Sequence, residues 1–168
     1  ALSTSGTGTE GTDYGTVSDI TITAGSTTGT VSFTPTDDSV YEGNETGIIA
    51  IDTVSGGGAT ENGTQSVTLT ITDNESAPTV TLTSSASSIA ENAGSSLTLT
   101  ATLSVATTAN VTVGISTSGT GTEGADYATV SDITITAGST KRTTSFTPTD
   151  HSTFEGNETG IIAIDTVT

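Results

Sequence analysis

The chain reads as an all-β protein built of antiparallel sandwiches in tandem, and three observations say so. About a quarter of its 168 residues are threonine, set among alternating Val, Ile and Leu; β-branched side chains are stiff at χ1 and suit a pleated surface. No stretch carries an apolar stripe at helical spacing. Short alternating segments broken by Gly, Ser, Asn and Asp recur, about seven to every 113 residues, which is the rhythm of a β-sandwich.

The repeat sets the phase of everything else. Ser3–Val54 aligns without gaps to Ser116–Val167 at an offset of 113 residues, and only positions 12, 15, 28, 29, 31, 38, 40 and 41 differ. Residues 1–75 therefore read as the C-terminal part of one repeat. Residues 76–78, Ser-Ala-Pro, read as a linker. Residues 79–168 read as the N-terminal part of the next repeat, its final strand missing. The start at Ala1-Leu2-Ser3 falls mid-strand, so the expectation is a window cut from a longer array.

The elements follow in order through the second repeat. Thr79–Thr83 alternates and opens it; Ser87–Gly94 reads as a short edge strand with a bend. Ser96–Leu103 is strict period two, a half-buried strand, and Asn110–Ser116 continues after a turn. The Gly/Thr loop 118–127 comes next, then the strand Asp132–Thr136 and the turn Ala137–Thr140. Lys141-Arg142, the only cations, read as part of a solvated turn. Thr143–Thr149 leads into an acidic loop and Gly160–Val167 leaves it. The first repeat adds the finish, with the glycine-rich 55–63 and the strand Ser66–Thr72 ending in Asp73-Asn74-Glu75. With three Phe, three Tyr and no Trp, the core is expected to be thin and aliphatic.

The chemistry concentrates in the acidic loop Asp37-Asp38-Ser39-Val40-Tyr41-Glu42-Gly43-Asn44-Glu45, which returns as Asp150–Glu158. Four carboxylates in nine residues repel one another unless water screens them or a cation neutralises them. Oxygen donors without Cys or His suit a hard cation, and flexible clustered carboxylates suit Ca²⁺ better than Mg²⁺. A solvated acidic hairpin is the plain alternative. Further acids stand at loop positions: Asp13 with its copy Asp126, Asp73 with Glu75, and Glu91. Alternate turns of a sandwich emerge at the same end, so these segments can converge. Gly43 and Gly156 give the loop access to positive φ.

Composition excludes several classes. A net charge of −17 leaves no basic footprint for nucleic acid. The absence of cysteine rules out disulfides and thiolate metal sites. No apolar run is long enough to insert as a membrane helix. No catalytic set appears, because the single histidine has no copy in the other repeat and a sugar-stacking aromatic platform is lacking, so the chain reads as a non-enzyme.

Several of these elements occur together in one known family. Ile89-Ala90-Glu91-Asn92-Ala93-Gly94, the Gly-Thr…Gly-Ala-Asp126-Tyr127 segment, the Asp-Asp…Val-Tyr-Glu-Gly-Asn-Glu loop and the closing Thr72-Asp73-Asn74-Glu75 resemble Calx-beta repeats in order and spacing. The resemblance implies an immunoglobulin-like sandwich binding several Ca²⁺ ions at one end. Carried across, it implies Asp13, Asp37, Asp38, Glu42, Glu45, Asp73 and Glu75 as ligands in the first repeat. In the second it implies Glu91, Asp126, Asp150, Glu155 and Glu158. Two departures weaken the pattern: the closing run is Asp-Asn-Glu rather than the more acidic family form, and His151 stands where the first repeat has Asp38. His151 reads as a lost negative ligand, either a pH-sensitive donor or an exposed replacement.

The expected role is a calcium-binding structural repeat of a long extracellular filament, stalk or adhesin shaft on a bacterial cell surface. Its partners are neighbouring repeats and other copies in a fibre, one copy donating a missing strand to another being one arrangement. The competing roles are a calcium-sensing regulatory domain of a membrane transporter and a ligand-binding adhesin module.

Overall fold

A computed structural model describes residues 1–168 and divides them into two compact units, Ala1–Glu75 and Ser76–Thr168. Unit 1 contains β1 (Leu2–Gly6), β2 (Val40–Tyr41), β3 (Glu45–Ile51) and β4 (Ser66–Ile71). β3 is the middle of a three-stranded antiparallel sheet, β1-β3-β4. Its register runs from Leu2 opposite Ile51 on one side and from Glu45 opposite Ile71 on the other. Tyr14 is fully buried, its ring 4.6 Å from that of Phe33.

Unit 2 contains β5 (Val80–Ser84), β6 (Leu97–Leu103), β7 (Ala106–Thr107), β8 (Val111–Gly119), β9 (Ile133–Ile135), β10 (Lys141–Phe146) and β11 (Gly160–Val167). Two antiparallel sheets, β10-β6-β5 and β11-β8-β9, face each other as a sandwich. Between them, Ala101 and Leu103 of β6 meet Val113 of β8 and Ile133 and Ile135 of β9. A second cluster joins Leu99 to Tyr127 and Val130. The alternation of β6 is what makes this possible: Leu99, Ala101 and Leu103 share one face and are buried, while the threonines between them turn outward. The core is aliphatic apart from Tyr127, which stacks 4.8 Å from Phe146.

Two local expectations are corrected. Ser87–Gly94 is not an edge strand; Glu91–Ala93 forms one 3₁₀ turn, closed by the left-handed Gly94 at φ 60°. The segment has a single β-branched residue, Ile89, and the Ala93 N–H turns back to the Ala90 carbonyl at 3.1 Å. Lys141 and Arg142 are not in a turn but open β10, opposite Thr102 and Ala101. The turn before them is closed by the Ser139 N–H on the Thr136 carbonyl at 3.0 Å.

The near-identical halves do not adopt identical structure. Residues 20–22 repeat β9 letter for letter, and residues 28–33 correspond to β10, yet neither forms a strand. β9 and β10 are paired strands because β8 and β6 lie beside them. Unit 1 holds no counterpart of β6 and none of the Val111–Val113 end of β8. Ile20 and Ile22 are accordingly 38% and 56% exposed, where Ile133 and Ile135 are 1% and 0%. Strand formation here follows from the partner strand rather than from local propensity.

Candidate metal centre

The acidic end of unit 1 is assembled by three pieces of backbone. Gly6, at φ 121°, is packed so closely on the Thr46 carbonyl that no Cβ would fit, and it swings β1 into the loop carrying Asp13. Within that loop Asp13 Oδ2 accepts the Thr9 N–H at 2.6 Å, and the Asp13 carbonyl accepts the Thr36 N–H at 2.9 Å. The latter bond ties the loop to the chain just before the acidic stretch. On the other side, Asp73 follows directly from β4. Its Oδ2 accepts the N–H groups of Glu42 at 2.8 Å and Gly43 at 2.5 Å, and its own N–H donates to Asn44 Oδ1 at 3.1 Å. Gly43 sits at φ 76°, the conformation that lets consecutive amides face one carboxylate.

These anchors bring Asp13, Glu42 and Glu45 together so that one oxygen of each lies within 4.8 Å of the others. A cavity of about 40 Å³ opens there, lined also by Asp38, Asp73 and Glu75. The electrostatics record the crowding. Burial, then the charges of Asp13, Asp38, Glu45 and Asp73, hold the Glu42 carboxyl above its usual range. Glu45 is raised by burial and by Asp13, and Glu75 by burial and by its neighbours Asp73 and Asp37. Asp73 is lowered, chiefly by the Glu75 N–H and with help from those of Glu42 and Gly43, against some burial. The donor set is all oxygen, from flexible carboxylates, and it fits a hard divalent cation whose charge would relieve the repulsion.

Unit 2 repeats the frame around Asp126 but assembles a different cluster, with His151 at the place of Asp38 and with Glu91, rather than Asp73 and Glu75, beside it. Asp126 Oδ2 accepts the Thr122 N–H at 2.6 Å, and its carbonyl accepts the Thr149 N–H at 2.9 Å. Where unit 1 has Asp38, the His151 ring lies among three carboxylates: Nδ1 is 3.1 Å from Glu91, and Nε2 is 2.9 Å from Glu155 and 3.6 Å from Asp126. The His151 N–H also donates to Glu91 Oε1 at 2.8 Å. Its desolvation opposes protonation, but Glu155, Glu91 and Asp126 outweigh this and raise its pKa above 6.5. Glu158 is raised by burial and by Asp126 and Glu155. Asp126, His151 and Glu155 form a mixed nitrogen and oxygen set. The imidazole is not an exposed replacement but the centre of the cluster.

Asp37 and Asp150, the two residues opening the acidic loops, are exposed and stand outside both groups. Two participants were not singled out from the sequence. Asn44, which holds the Asp73 backbone, could have been flagged by its fixed place inside the repeated loop as Asn157. Tyr14, repeated as Tyr127, bridges by its backbone to Pro35 and thereby sets the adjacent Asp13.

No curated protein matches the chain. The Calx-beta domain family matches it twice, over residues 2–75 and over residues 73–168. Calx-beta domains are β-sandwich modules known as calcium-binding repeats, a binding and structural family rather than a catalytic one. With both halves matched, the chain belongs to the Calx-beta domain family.

Proposed function

We propose that this chain is a Ca²⁺-binding structural segment of a long extracellular filament, stalk or adhesin shaft. The observation that carries the reading is the meeting of Asp13, Glu42 and Glu45 around one small cavity, with Asp73 anchored beside them. An ion there would join three segments that are distant in sequence: the loop after β1, the acidic loop, and the residues following β4. The last of these, Asp73–Glu75, leads directly into Ser76-Ala77-Pro78. Loading the site would therefore fix the stretch of chain from which the next repeat departs, which stiffens an array. Near-identical repeats suit a part whose function is length, since each copy adds the same increment.

Calorimetric titration of the chelator-treated chain with Ca²⁺, paired with thermal melting, tests the reading. Ligand at a hundredfold excess over Kd stabilises by about 2.7 kcal/mol, which for a domain of this size is about 10–20 °C in Tm. A melting curve indifferent to millimolar Ca²⁺ would leave these loops as solvated acidic turns. Small-angle scattering in both conditions tests the stiffening separately; the filament role requires a more extended particle with Ca²⁺.

A further inference from the structure

The two acidic ends are built from matching residues, but they do not offer the same atoms. In unit 1 the carboxylates of Asp13, Glu42 and Glu45 come together; in unit 2 the group is Asp126, His151 and Glu155. Asp126 and Glu155 are the copies of Asp13 and Glu42. The third place goes to an imidazole rather than to Glu158, the copy of Glu45. The exchange of Asp38 for His151 therefore puts nitrogen where the other centre has only oxygen. Ca²⁺ takes oxygen ligands, and a nitrogen donor fits it poorly. An imidazole beside carboxylates suits Zn²⁺ and its neighbours in the first transition row.

The ring sits where three segments meet: the 3₁₀ turn with Glu91, the loop after β8 with Asp126, and the acidic loop after β10 with His151 and Glu155. Nε2 faces Glu155 Oε2 at 2.9 Å and Asp126 Oδ1 at 3.6 Å. Ligand atoms on a tetrahedral Zn²⁺ stand about 3.3 Å apart, as bonds of about 2.0–2.1 Å dictate. The two observed distances bracket that value. Nδ1 lies 3.1 Å from Glu91 Oε1. The same Oε1 accepts the His151 backbone N–H at 2.8 Å, which fixes Glu91 against the ring. A carboxylate behind one ring nitrogen and a metal before the other is the arrangement that orients a ligand imidazole and sets its tautomer.

Ion pairing alone does not account for this geometry. Nδ1 is sealed from solvent and completes no hydrogen bond, close as it is to Glu91. An imidazolium held by its salt bridges would direct both N–H groups at acceptors, because an unsatisfied buried donor is costly. With the proton on Nδ1, the Nε2 lone pair meets two carboxylate oxygens, and three electron-rich atoms facing one another favour a cation between them.

We infer that the centre of unit 2 is a site for a borderline divalent cation of the Zn²⁺ class, bound through His151 Nε2, Asp126 and Glu155, with Glu91 as the positioning residue. One chain then carries two metal chemistries, an oxygen-only centre in unit 1 and a nitrogen-containing one in unit 2. The second stands on its own donor set, whatever Ca²⁺ does at the first.

His151 is the only histidine in the chain, so its ring nitrogens report on this site alone. The chelator-treated, ¹⁵N-labelled chain is titrated near neutral pH with ZnCl₂ and, separately, with CaCl₂, and the imidazole ¹H–¹⁵N correlations are followed. Stoichiometric Zn²⁺ is expected to shift Nε2 and to hold the proton on Nδ1. About a hundredfold excess of Ca²⁺ should neither reproduce that shift nor reverse it. Read by the same resonances, Glu91→Gln should weaken Zn²⁺ binding by about tenfold, the scale of a lost outer-shell partner. By calorimetry, His151→Asp should weaken Zn²⁺ binding at unit 2 by about tenfold or more. Imidazole resonances that ignore Zn²⁺, or that Ca²⁺ moves equally well, would overturn the inference, and they are read on the unmodified chain. A Zn²⁺ affinity unchanged in His151→Asp would overturn it as well, and one unchanged in Glu91→Gln would remove Glu91 from its role. Because the imidazole does not report on unit 1, failure here and failure of the calcium reading are told apart.

Discussion

Asp73 accepts the backbone N–H of Glu42 at 2.8 Å across 31 residues of chain, and this bond closes the acidic end of unit 1. It places a carboxylate pinned by amides beside carboxylates that are raised by mutual repulsion. The two kinds of acid have opposite consequences for stability.

The Asp73→Asn substitution keeps one side-chain oxygen, enough for the Glu42 and Gly43 amides that share Oδ2 or for the Glu75 amide on Oδ1 but not for both, and removes the charge. Ca²⁺ affinity of unit 1 is expected to fall by about tenfold or more, since ligand charge tunes such sites. In chelator the substitution should still destabilise unit 1, through the weakened hydrogen bonds to the Glu42, Gly43 and Glu75 amides. Calorimetry and chemical denaturation, run on the same protein, separate the two effects.

The pH dependence without metal has two branches. Glu42, Glu45 and Glu75 have folded pKa values above 4.5, so the native state holds more protons than the unfolded chain. Stability should therefore rise as pH falls from neutrality toward 4.5. Asp73 is held below 3.8, so its contribution, present above 3.8, is lost as pH falls through its folded value. Chelator melting curves should thus pass through a maximum on the acid side of neutrality. Saturating Ca²⁺, which requires ionised ligands, should abolish the rise on acidification.

His151 should titrate above 6.5 in chelator, followed by its ring proton resonances. Its contribution to stability is full below 6.5 and is lost as pH rises through its folded pKa. Replacing it, as His151→Asp, restores the residue found at Asp38 and should increase Ca²⁺ affinity of unit 2 by about tenfold, as an added carboxylate ligand does. An unchanged affinity would mean that residue 151 takes no part in binding.

The repeat offers its own control for core energetics. Ile135→Ala removes a fully buried side chain and should cost about 2–5 kcal/mol. The same substitution at its copy, Ile22→Ala, touches a side chain 56% exposed and should stay within about 0.5 kcal/mol. Urea denaturation of the two variants decides this.

Period-two alternation made β6 and β8 legible, and the emergence of alternate sandwich turns at one end made the grouping of Asp13 with the acidic loop a reasonable expectation. The β9 and β10 sequences were not sufficient to define strands. In unit 1 the same or nearly the same letters stay unpaired, because pairing is decided by residues dozens of positions away. The 3₁₀ turn at Glu91–Ala93 was hidden by an apparent alternation with too few β-branched residues to hold an extended edge. The role of His151 was hidden differently. A substitution of Asp by His reads as one ligand fewer, whereas the loop geometry presents both ring nitrogens to carboxylates. Sequence shows which groups are near one another along the chain, and the tight turns at Gly6 and Gly119 decide which meet.

Glu45–Ile51 of β3 and Glu158–Ile164, which runs into β11, are identical in sequence, and this bears on how such chains keep order. Specificity is a difference of affinities, and strands of one sequence offer the same backbone register, so that they differ as partners only in what packs over them. If such repeats stand in a longer array, pairing would be chosen by tether length, which sets the effective concentration of each candidate strand at each edge. A strand joined by a short connection outcompetes a diffusing one until crowding of parallel chains raises the latter's concentration to match. The separation between an orderly thread and a cross-linked mesh would therefore be set by packing density rather than by any residue of the repeat.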